Sequence, residues 1–278
     1  MTSVSASGVL PAPSPISDAA QAAFEREVGS AGLDPSQRWI GGYVDYEWTH
    51  LRPVLAAYGI DVAGQSVLEL GCNVGASAVV LAALGADVQG VDVDLRLLGV
   101  AQANARRYGY DIAFTHVADS RRLPFAAAAF DLVTCNSVLE YVQPALLAGV
   151  QRELDRVLRP GGLILVSGTS SRLWPREVHS GRWLVNYLPR SLVRRLRLSG
   201  HPVCSVWPWT IRRGFGRGYS NLDALDGGRA FIAARAAMQP PQAGWPKRAL
   251  ARLAGSFGVG PGLLMNSISC VLRKDETP

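Results

Sequence analysis

The sequence contains few of the residues that staple a small fold or bind a metal. Its four cysteines, Cys72, Cys135, Cys204 and Cys270, are far apart and form no CxxC pair, and its four histidines form no HxxxH pair. This spacing argues against a disulfide framework and against a zinc cluster. We therefore predict no metal site and a reducing, cytoplasmic environment, and a metal-dependent reaction has no support in the sequence.

Long apolar runs are also missing. The longest run of small or apolar residues, 76–86, has 11 residues, which is too short to cross a bilayer. The first 16 residues lack the basic and apolar regions of a signal peptide, and their Pro, Ser and Ala content predicts a flexible leader. The sequence therefore predicts no transmembrane segment.

Charge is distributed unevenly along the 278 residues. Residues 1–170 carry 11 Arg and 17 Asp or Glu, a net charge of −6, whereas residues 171–278 have a net charge of +12. Such asymmetry is typical of proteins that bind nucleic acid, an anionic membrane surface or an acidic substrate. Only two of the basic residues are lysines, and the arginines form no stripe, so a general preference for arginine is the simpler interpretation.

Strand-like and helix-like segments alternate through the middle of the chain. The predicted strands are 66–70, 87–91, 112–116, 130–135 and 163–167, the helices between them are 75–84, 94–108 and 145–158, and helices 17–28 and 45–58 precede them. Strands separated by helices of this length predict βαβ units and a parallel sheet covered on both faces. The fold class predicted is α/β, a doubly wound Rossmann-like sheet.

The first strand runs into the stretch VLELGCNVGASA. Gly71 and Gly75 permit a sharp turn, and Asn73 tolerates a left-handed conformation. A dinucleotide would favour GxGxxG at this turn, so that its pyrophosphate could lie on the helix N-terminus. Here two of those glycines are replaced, and Glu69 adds a carboxylate that repels a pyrophosphate and attracts an ammonium group. We therefore expect a ligand that is cationic at this end.

Two further carboxylates follow the next strands. Asp92 comes 21 residues after Gly71, where a carboxylate can accept hydrogen bonds from both ribose hydroxyls. Asp94 is more simply interpreted as the cap of the following helix. Asp119 either reaches an adenine amino group or only forms a turn.

Five segments in this order, VLELGCNVGASA, GVDVD, ADSRRLPF, FDLVTCNSVLEYV and ELDRVLRPGGLILVSG, resemble successive motifs of the class I S-adenosylmethionine-dependent methyltransferases, particularly their small-molecule, methyltransferase-11-like group. The resemblance implies a seven-stranded sheet in the order 3-2-1-4-5-7-6, with an antiparallel strand 7 at 267–273 and strand 6 near 203–211. It divides the chain into a leader (1–16), N-terminal helices forming a cofactor lid (17–64), a cofactor-binding core (65–170), a substrate cap inserted before the last strand (171–266), and the final strand and tail (267–278).

The resemblance also implies the cofactor, S-adenosylmethionine, and the product, S-adenosylhomocysteine. The implied contacts are Glu69, Gly71, Cys72, Asn73 and Gly75 around the methionine part, Asp92 on the ribose, Val93 against the adenine ring, Asp119 and Ser120 at the adenine edge, and Asn136 near the methionine end. Two positions depart from the common pattern: Asn73 stands where Gly is usual, and Tyr141 where many relatives have His.

Methyl transfer requires little chemistry from the protein. The methyl group of the cofactor is already activated, so positioning the acceptor provides most of the acceleration. A base is required only when the acceptor carries a proton. The candidates are Glu140 and Tyr141 after the fourth strand and His179 in WPREVHSGRW, whose ordinary pKa of about 6.5 suits the role. The alternative for His179 is a packed surface residue.

Aromatic residues lie on both sides of the core. They are Trp39, Tyr43, Tyr46 and Trp48 before it, and Trp174, Trp183, Tyr187, Trp207 and Trp209 after it. They either fill a satellite core or surround a hydrophobic or ring-shaped acceptor. The segment PRSLVRRLRL, residues 189–198, is either a solvated helix face or a weak peripheral membrane contact.

The sequence thus predicts an enzyme that methylates an O or N atom of a small-molecule acceptor, such as a secondary metabolite or a sugar- or lipid-linked intermediate that is acidic or aromatic. One alternative is a nucleic-acid methyltransferase, because the second half is basic. Against it, the fourth strand ends in CNSVLEYV and not in an Asn/Asp-Pro-Pro-aromatic tetrad. The other alternative is a non-catalytic protein that binds S-adenosylmethionine. The sequence does not indicate an oligomeric state.

Overall fold

The computed structural model describes residues 11–197, 205–216 and 218–276. Its strands are β1 (Ser66–Leu70), β2 (Asp87–Asp92), β3 (Ala113–His116), β4 (Phe130–Asn136), β5 (Leu158–Ser170), β6 (Tyr219–Asn221) and β7 (Ser267–Lys274). Its α-helices are α1 (Asp18–Ser30), α2 (Tyr43–Ala57), α3 (Ala76–Ala83), α4 (Leu95–Arg107), α5 (Pro144–Val157), α6 (Arg190–Arg195), α7 (Pro208–Phe215), α8 (Leu222–Leu225), α9 (Arg229–Ala237) and α10 (Trp245–Ser256). Two short 3-10 helices are Val185–Tyr187 and Pro261–Leu264.

The strands form one sheet in the order β3-β2-β1-β4-β5-β7-β6, which confirms the predicted order. Strands β1 to β5 are parallel, and β7 pairs antiparallel with both β5 and β6. Successive residues of β1, Val67 and Leu68, belong to different buried clusters on the two faces. Both faces of β1 are apolar because helices cover each face of the sheet.

The prediction of strand 6 near 203–211 is wrong. The sixth strand is β6, where Ser220 pairs with Arg273 of β7. Residues 203 and 204 lie outside the described residues, and Val206 makes only an isolated bridge with Ser171. From Pro208 the chain is helical, because proline fits the first turn of a helix and cannot donate to a sheet ladder. Within α7, Pro208, Ile211 and Phe215 form the buried face, and Ile211 is fully buried.

The segment 171–266 is helical to a greater extent than its sequence indicates. Within the described residues it holds α6 to α10 and also contributes β6 to the sheet. Helix α9 packs against α2, so the N-terminal helices and the inserted segment meet above the sheet. In the part of the chain that the structure describes, every helix is too short or too polar to cross a membrane. Of the predicted leader, residues 1–10 lie outside this part.

Candidate active site

A cavity of about 1300 Å³ lies at the carboxyl edge of the parallel strands. Its floor consists of the chain segments that follow β1, β2, β3 and β4, and its roof consists of one face of α2, the loop around His179 and one face of α9. The strand order reverses beside β1, and doubly wound sheets bind their ligands at such a point. Pockets for a single small ligand usually measure about 300–1,000 Å³, so this cavity has room for two.

The turn after β1 shapes the floor. Gly71 has a φ of +68°, and a Cβ atom at this position would lie 2.6 Å from Cγ2 of Val138. Only glycine therefore fits, and the backbone is open to a ligand. Asn73 is left-handed, with a φ of 51°, as predicted. Gly75 is also left-handed, but it does not line the cavity: it packs against Phe114 of β3. Gly75 thus has a packing role, and its contact with the cofactor stays a prediction.

Asp92 is held by the backbone on both sides. Its Oδ2 accepts a hydrogen bond from the backbone N of Asn73 at 2.8 Å, and its Oδ1 accepts one from the backbone N of Asp94 at 2.9 Å. Each carboxylate oxygen keeps a further lone pair for a ligand hydroxyl. Asp94 itself caps α4 by accepting from the backbone N of Arg96 at 3.0 Å. The cap interpretation is therefore correct for Asp94, and although both carboxylates line the cavity, Asp92 is the one fixed by the turn after β1.

Glu69 is a buried carboxylate without enough partners. Its Oε2 is buried and has no hydrogen-bond partner among the described residues. Burial raises the pKa of Glu69 well above its usual range. A carboxylate in such a position is costly unless a cation or a donor reaches it. Because Glu69 lines the cavity, the ammonium group of S-adenosylmethionine fits this position.

The sequence analysis missed a second buried carboxylate, Glu47 of α2. Its Oε1 accepts a hydrogen bond from Nδ2 of Asn136 at 2.9 Å. Asn136 also donates to Oγ of Ser77 at 3.2 Å and accepts from Oγ of Ser167 at 3.0 Å. Burial raises the pKa of Glu47 to about 7. The available signal was an acid on the apolar stripe of a predicted helix, three residues after Val44, which faces the core.

The adenine end is more open. Val93 is 58% exposed, and it lines the cavity together with Asp119 and Ser120. Asp119 forms an ion pair with Arg121 at 2.7 Å and accepts from the backbone N of the same arginine. These hydrogen bonds lower the pKa of Asp119 to about 2. The turn-forming role of Asp119 is therefore present, and its contact with adenine stays a prediction.

The three candidate catalytic residues lie together. Nε2 of His179 is 3.3 Å from Oε1 of Glu140, and the rings of His179 and Tyr141 have centroids 5.9 Å apart. Glu140 is fully buried, and its Oε2 has no partner within the described residues. The hydrogen bond to Glu140 raises the pKa of His179. His179 and Tyr141 line the cavity, and Glu140 lies behind them.

Glu177, also missed by the sequence analysis, fixes the loop that carries His179. Its Oε1 accepts from the backbone N of His179 at 3.0 Å, and its Oε2 accepts from the backbone N of Ser180 at 2.5 Å. Oγ of Ser170, at the end of β5, donates to Glu177 at 3.1 Å. Burial opposes ionisation of Glu177, yet these hydrogen bonds lower its pKa overall. The loop is thus tied to the sheet by a buried carboxylate.

The aromatic residues divide between the two predicted roles. Trp39, Tyr43 and Tyr46 line the cavity, whereas Trp48 is buried in the core. The aromatic residues of the inserted segment, Trp174, Trp183, Tyr187, Trp207 and Trp209, do not line it, so they do not surround an acceptor there. They make contacts elsewhere: Trp207 stacks on Trp209, with ring centroids 4.4 Å apart, and Nε1 of Trp174 donates to a backbone carbonyl at 2.7 Å.

Possible metal ligands do not cluster in the described part of the chain: no group of three or more His, Cys, Asp or Glu residues is suitably placed. Cys72, Cys135 and Cys270 are buried free thiols, and Cys204 lies outside the described residues. Burial raises the pKa values of all three thiols. Cys72 lines the cavity as a small, neutral side chain.

Solved structures share this fold. An S-adenosylmethionine-dependent methyltransferase from Mesorhizobium loti has 22% sequence identity and a TM-score of 0.52, and the match covers 83% of this chain and 100% of that chain. The [4+2]-cyclase SpnF has 18% identity and a TM-score of 0.50, with 96% of this chain and 98% of that chain covered. At these identities the likeness shows the fold alone, and these two proteins differ in the reaction they are named for.

Sequence comparison finds relatives for the middle of the chain. Residues 68–166 match the model of a methyltransferase domain family. The ubiquinone biosynthesis O-methyltransferase of Paraburkholderia phytofirmans is 31% identical over 140 residues, which cover 48% of this chain and 59% of that protein. The chain thus spans little more than half the length of the curated relatives it matches. Residues 68–166, which contain β1 to β4 and most of β5, are therefore similar to a methyltransferase domain.

Proposed function

We propose that this chain transfers a methyl group from S-adenosylmethionine to an oxygen atom of a small-molecule acceptor. The observation that carries the proposal is one cavity that contains both the buried carboxylate of Glu69, whose Oε2 has no partner among the described residues, and a histidine, His179, held by the buried Glu140. The first fits the cationic end of the cofactor, and the second fits an acceptor that must lose a proton.

The chain would hold the polar parts of the cofactor with carboxylates and its adenine ring with an apolar surface. Glu69 and Glu47 present carboxylates to the amino group, and Asp92 presents free lone pairs to the ribose hydroxyls. Val93 offers an exposed apolar surface to the adenine ring. When bound, the cofactor supplies an activated methyl group. The protein then has to place the acceptor oxygen in line with the bond that breaks and exclude water.

His179 would act as the general base. A neutral imidazole that donates its Nε2–H to Glu140 keeps its lone pair on Nδ1. The proton of the acceptor hydroxyl would move to Nδ1 of His179 as the acceptor oxygen takes up the methyl group that the bound cofactor would supply. The negative Glu140 stabilises the imidazolium that results. Tyr141 lies beside the imidazole and would form a wall of the acceptor site.

Oxygen is favoured as the methylated atom by two facts. The curated relatives are O-methyltransferases, and a hydroxyl acceptor requires a base such as His179. The fold does not by itself establish methyl transfer, because the cyclase SpnF shares it. A nucleic-acid methyltransferase and a non-catalytic protein that binds S-adenosylmethionine are therefore the other outcomes of the test.

The test is transfer of a radiolabelled methyl group from S-adenosylmethionine into cell extract, followed by separation of small molecules from nucleic acid. We expect the label in the small-molecule fraction, as the methyl group of an O-methyl product. An Asp92→Asn variant should transfer no label. Label in nucleic acid, or binding of S-adenosylhomocysteine without any labelled product, would contradict the proposal. Calorimetric titration with S-adenosylhomocysteine shows in parallel whether the cofactor site itself is intact.

A further inference from the structure

Two basic residues of the inserted segment lie at the roof of the cavity. Phe231, Ala234, Arg235 and Met238 of α9 and its C-terminal cap follow the spacing that places side chains on one helix face, and all four line the cavity. Lys247, in the first turn of α10, lines it as well. This wall therefore combines an apolar surface with two positive charges.

Neither charge has an acidic partner nearby. Nη2 of Arg235 donates to Oγ of Ser269 at 2.9 Å and Nη1 donates to Oε1 of Gln242 at 2.5 Å, and both of these acceptors are neutral. Among the described residues, no carboxylate oxygen lies within 4 Å of Arg235 or Lys247. Partial desolvation of its ammonium group, followed by the positive charge of Arg235, lowers the pKa of Lys247. An anion between the two groups would remove this repulsion.

The acids in the neighbourhood lie beyond ion-pair distance of Arg235, although Oδ2 of Asp223 has no hydrogen-bond partner among the described residues and its charge acts on Arg235 at longer range. Asp223 is fully buried and accepts a hydrogen bond from the hydroxyl of Tyr58. Burial raises the pKa of Asp223 to about 7, so it carries only part of a negative charge at neutral pH. Asp226 accepts from the backbone N of Gly228 and Ala230 at the start of α9. Neither Asp223 nor Asp226 therefore neutralises the charge of Arg235 fully.

The position of Arg235 separates it from the cofactor carboxylate. Its guanidinium contacts Ser269 on β7, whereas Glu69 lies on β1. The order β1-β4-β5-β7 separates β1 from β7 by three inter-strand spacings, about 14 Å. In S-adenosylmethionine the amino and carboxylate groups are attached to the same carbon. With its amino group at Glu69, the cofactor carboxylate stays near β1 and β4. Arg235 thus faces the part of the cavity that is left for a second ligand.

We propose that Arg235 and Lys247 bind an anionic group of the acceptor, a carboxylate or a phosphate, while Phe231 and Met238 pack against its apolar part. The planar guanidinium suits either anion, because both present two oxygens in a matching geometry. The inference rests on the proposed function only in taking the second ligand to be the methyl acceptor. It narrows the substrate class to small molecules with an apolar body and an acidic group.

The two lysines of the chain provide an internal control. Lys247 and Lys274 are its only lysines, so protein carrying 13C at the lysine Cε gives two assignable signals. Lys274 is engaged elsewhere, with its Nζ 2.6 Å from the backbone O of Asp155 and 3.1 Å from that of Leu158. The probes are benzoate and phenyl phosphate, with benzyl alcohol as the neutral control, all added to the full chain saturated with S-adenosylhomocysteine.

We expect both anionic probes to shift the Lys247 signal saturably, whereas Lys274 does not move and benzyl alcohol has no effect. The tighter of the two probes then identifies the acceptor anion as carboxylate or phosphate. An Arg235→Gln variant should weaken probe binding at least tenfold, because a charge-assisted hydrogen bond is lost. Lys247→Gln changes an exposed residue and tests the same site by calorimetry if Arg235→Gln does not fold.

Three results would overturn the inference. They are equal shifts of both lysine signals, probe affinity that is unchanged in both variants, and a loss of S-adenosylhomocysteine binding in Arg235→Gln, which would assign Arg235 to the cofactor. Failure of the proposed function would look different. In that case the extract assay yields no methylated product, while the Lys247 signal still responds to the anionic probes.

Discussion

The floor and the roof of the cavity are built by different kinds of chain segment. The floor residues Glu69, Asp92 and Asn136 each lie at or near the carboxyl end of a parallel strand, within a short local motif. The roof residues Glu47, His179 and Arg235 come from α2, a loop and α9, which are far apart in the sequence. The difference teaches that the floor, where we propose that most of the cofactor binds, is encoded locally, whereas the roof depends on how distant helices pack.

The two regions also differ in how their polar groups are held. On the floor, backbone N–H groups fix Asp92, so its geometry follows from the turn itself. In the roof, side chains from other segments hold His179: Glu140 pairs with its ring and Glu177 accepts from its backbone N. A substitution in the floor should therefore affect cofactor binding, and one at His179 or Arg235 in the roof should affect catalysis or acceptor binding while the cofactor still binds. The following variants test that division.

The largest expected effect is in the roof. Replacing His179 with Gln removes the proposed base, and we expect kcat to fall by about 10²–10⁴-fold. The Kd for S-adenosylhomocysteine should stay within twofold of the wild-type value, because His179 is not part of the floor. Steady-state kinetics and calorimetry measure the two quantities, with Tyr141→Phe as the matched control. A kcat within threefold of wild type would assign His179 to the packed surface residues.

Glu47 predicts a pH dependence of stability. Burial raises its pKa from 4.5 to about 7, so the folded protein binds more protons than the unfolded chain between these values. The free protein should therefore lose stability as pH rises through this window. At about 1.36 kcal/mol per pH unit, the loss is on the order of 3 kcal/mol.

The Glu47→Gln variant isolates this contribution. Urea unfolding from pH 4.5 to 7.5 should give curves for wild type and variant that diverge as the pH rises, with the variant becoming relatively more stable. Parallel curves would show that Glu47 has an ordinary pKa in the folded protein, which would contradict its role as a buried acid of the roof. Exposed Glu25, replaced with Gln, gives the baseline for removal of a solvated carboxylate.

Glu69→Gln should separate binding from stability within the floor. Loss of the carboxylate weakens binding of S-adenosylhomocysteine about 30-fold, roughly 2 kcal/mol, because a charge-assisted contact with the ammonium group is lost. The same change should stabilise the free protein, since it removes a buried and incompletely paired charge. Calorimetry and thermal unfolding measure the two effects. Unchanged affinity would remove Glu69 from the cofactor site and weaken the comparison between floor and roof.

The extent to which the sequence predicted these features follows the same division. The turn at Gly71 and the carboxylate Asp92 could be predicted because each depends on neighbours a few residues away, whereas the strand order was implied only by the resemblance of five motifs to a known family. Strand β6 could not be predicted, since its three residues, Tyr219–Asn221, are too few to show a period and pair with a strand some 50 residues later. Arg235 was equally hidden, because only the packing of α9 against α2 brings it to the cavity.

Glu140 should set the pH at which the roof becomes active. Its hydrogen bond raises the pKa of His179 above the ordinary value of 6.5, and a general base works only when it is deprotonated. We expect kcat/KM to fall on the acid side with a midpoint above 6.5, and Glu140→Gln to move that midpoint to lower pH. A pH–rate profile of both proteins measures the change. An unmoved midpoint would show that Glu140 does not act through His179.

The smallest effect is expected outside both regions, at Trp183. Its side chain is 67% exposed and does not line the cavity. Trp183→Ala should therefore change the free energy of unfolding by less than about 0.5 kcal/mol and leave the KM of the acceptor within twofold. Phe231→Ala is the comparison: because Phe231 lines the cavity, its replacement should raise the KM of the acceptor. If Trp183→Ala raised it instead, the acceptor would extend beyond the cavity across the surface of the inserted segment, and the roof would be larger than α2, the His179 loop and α9.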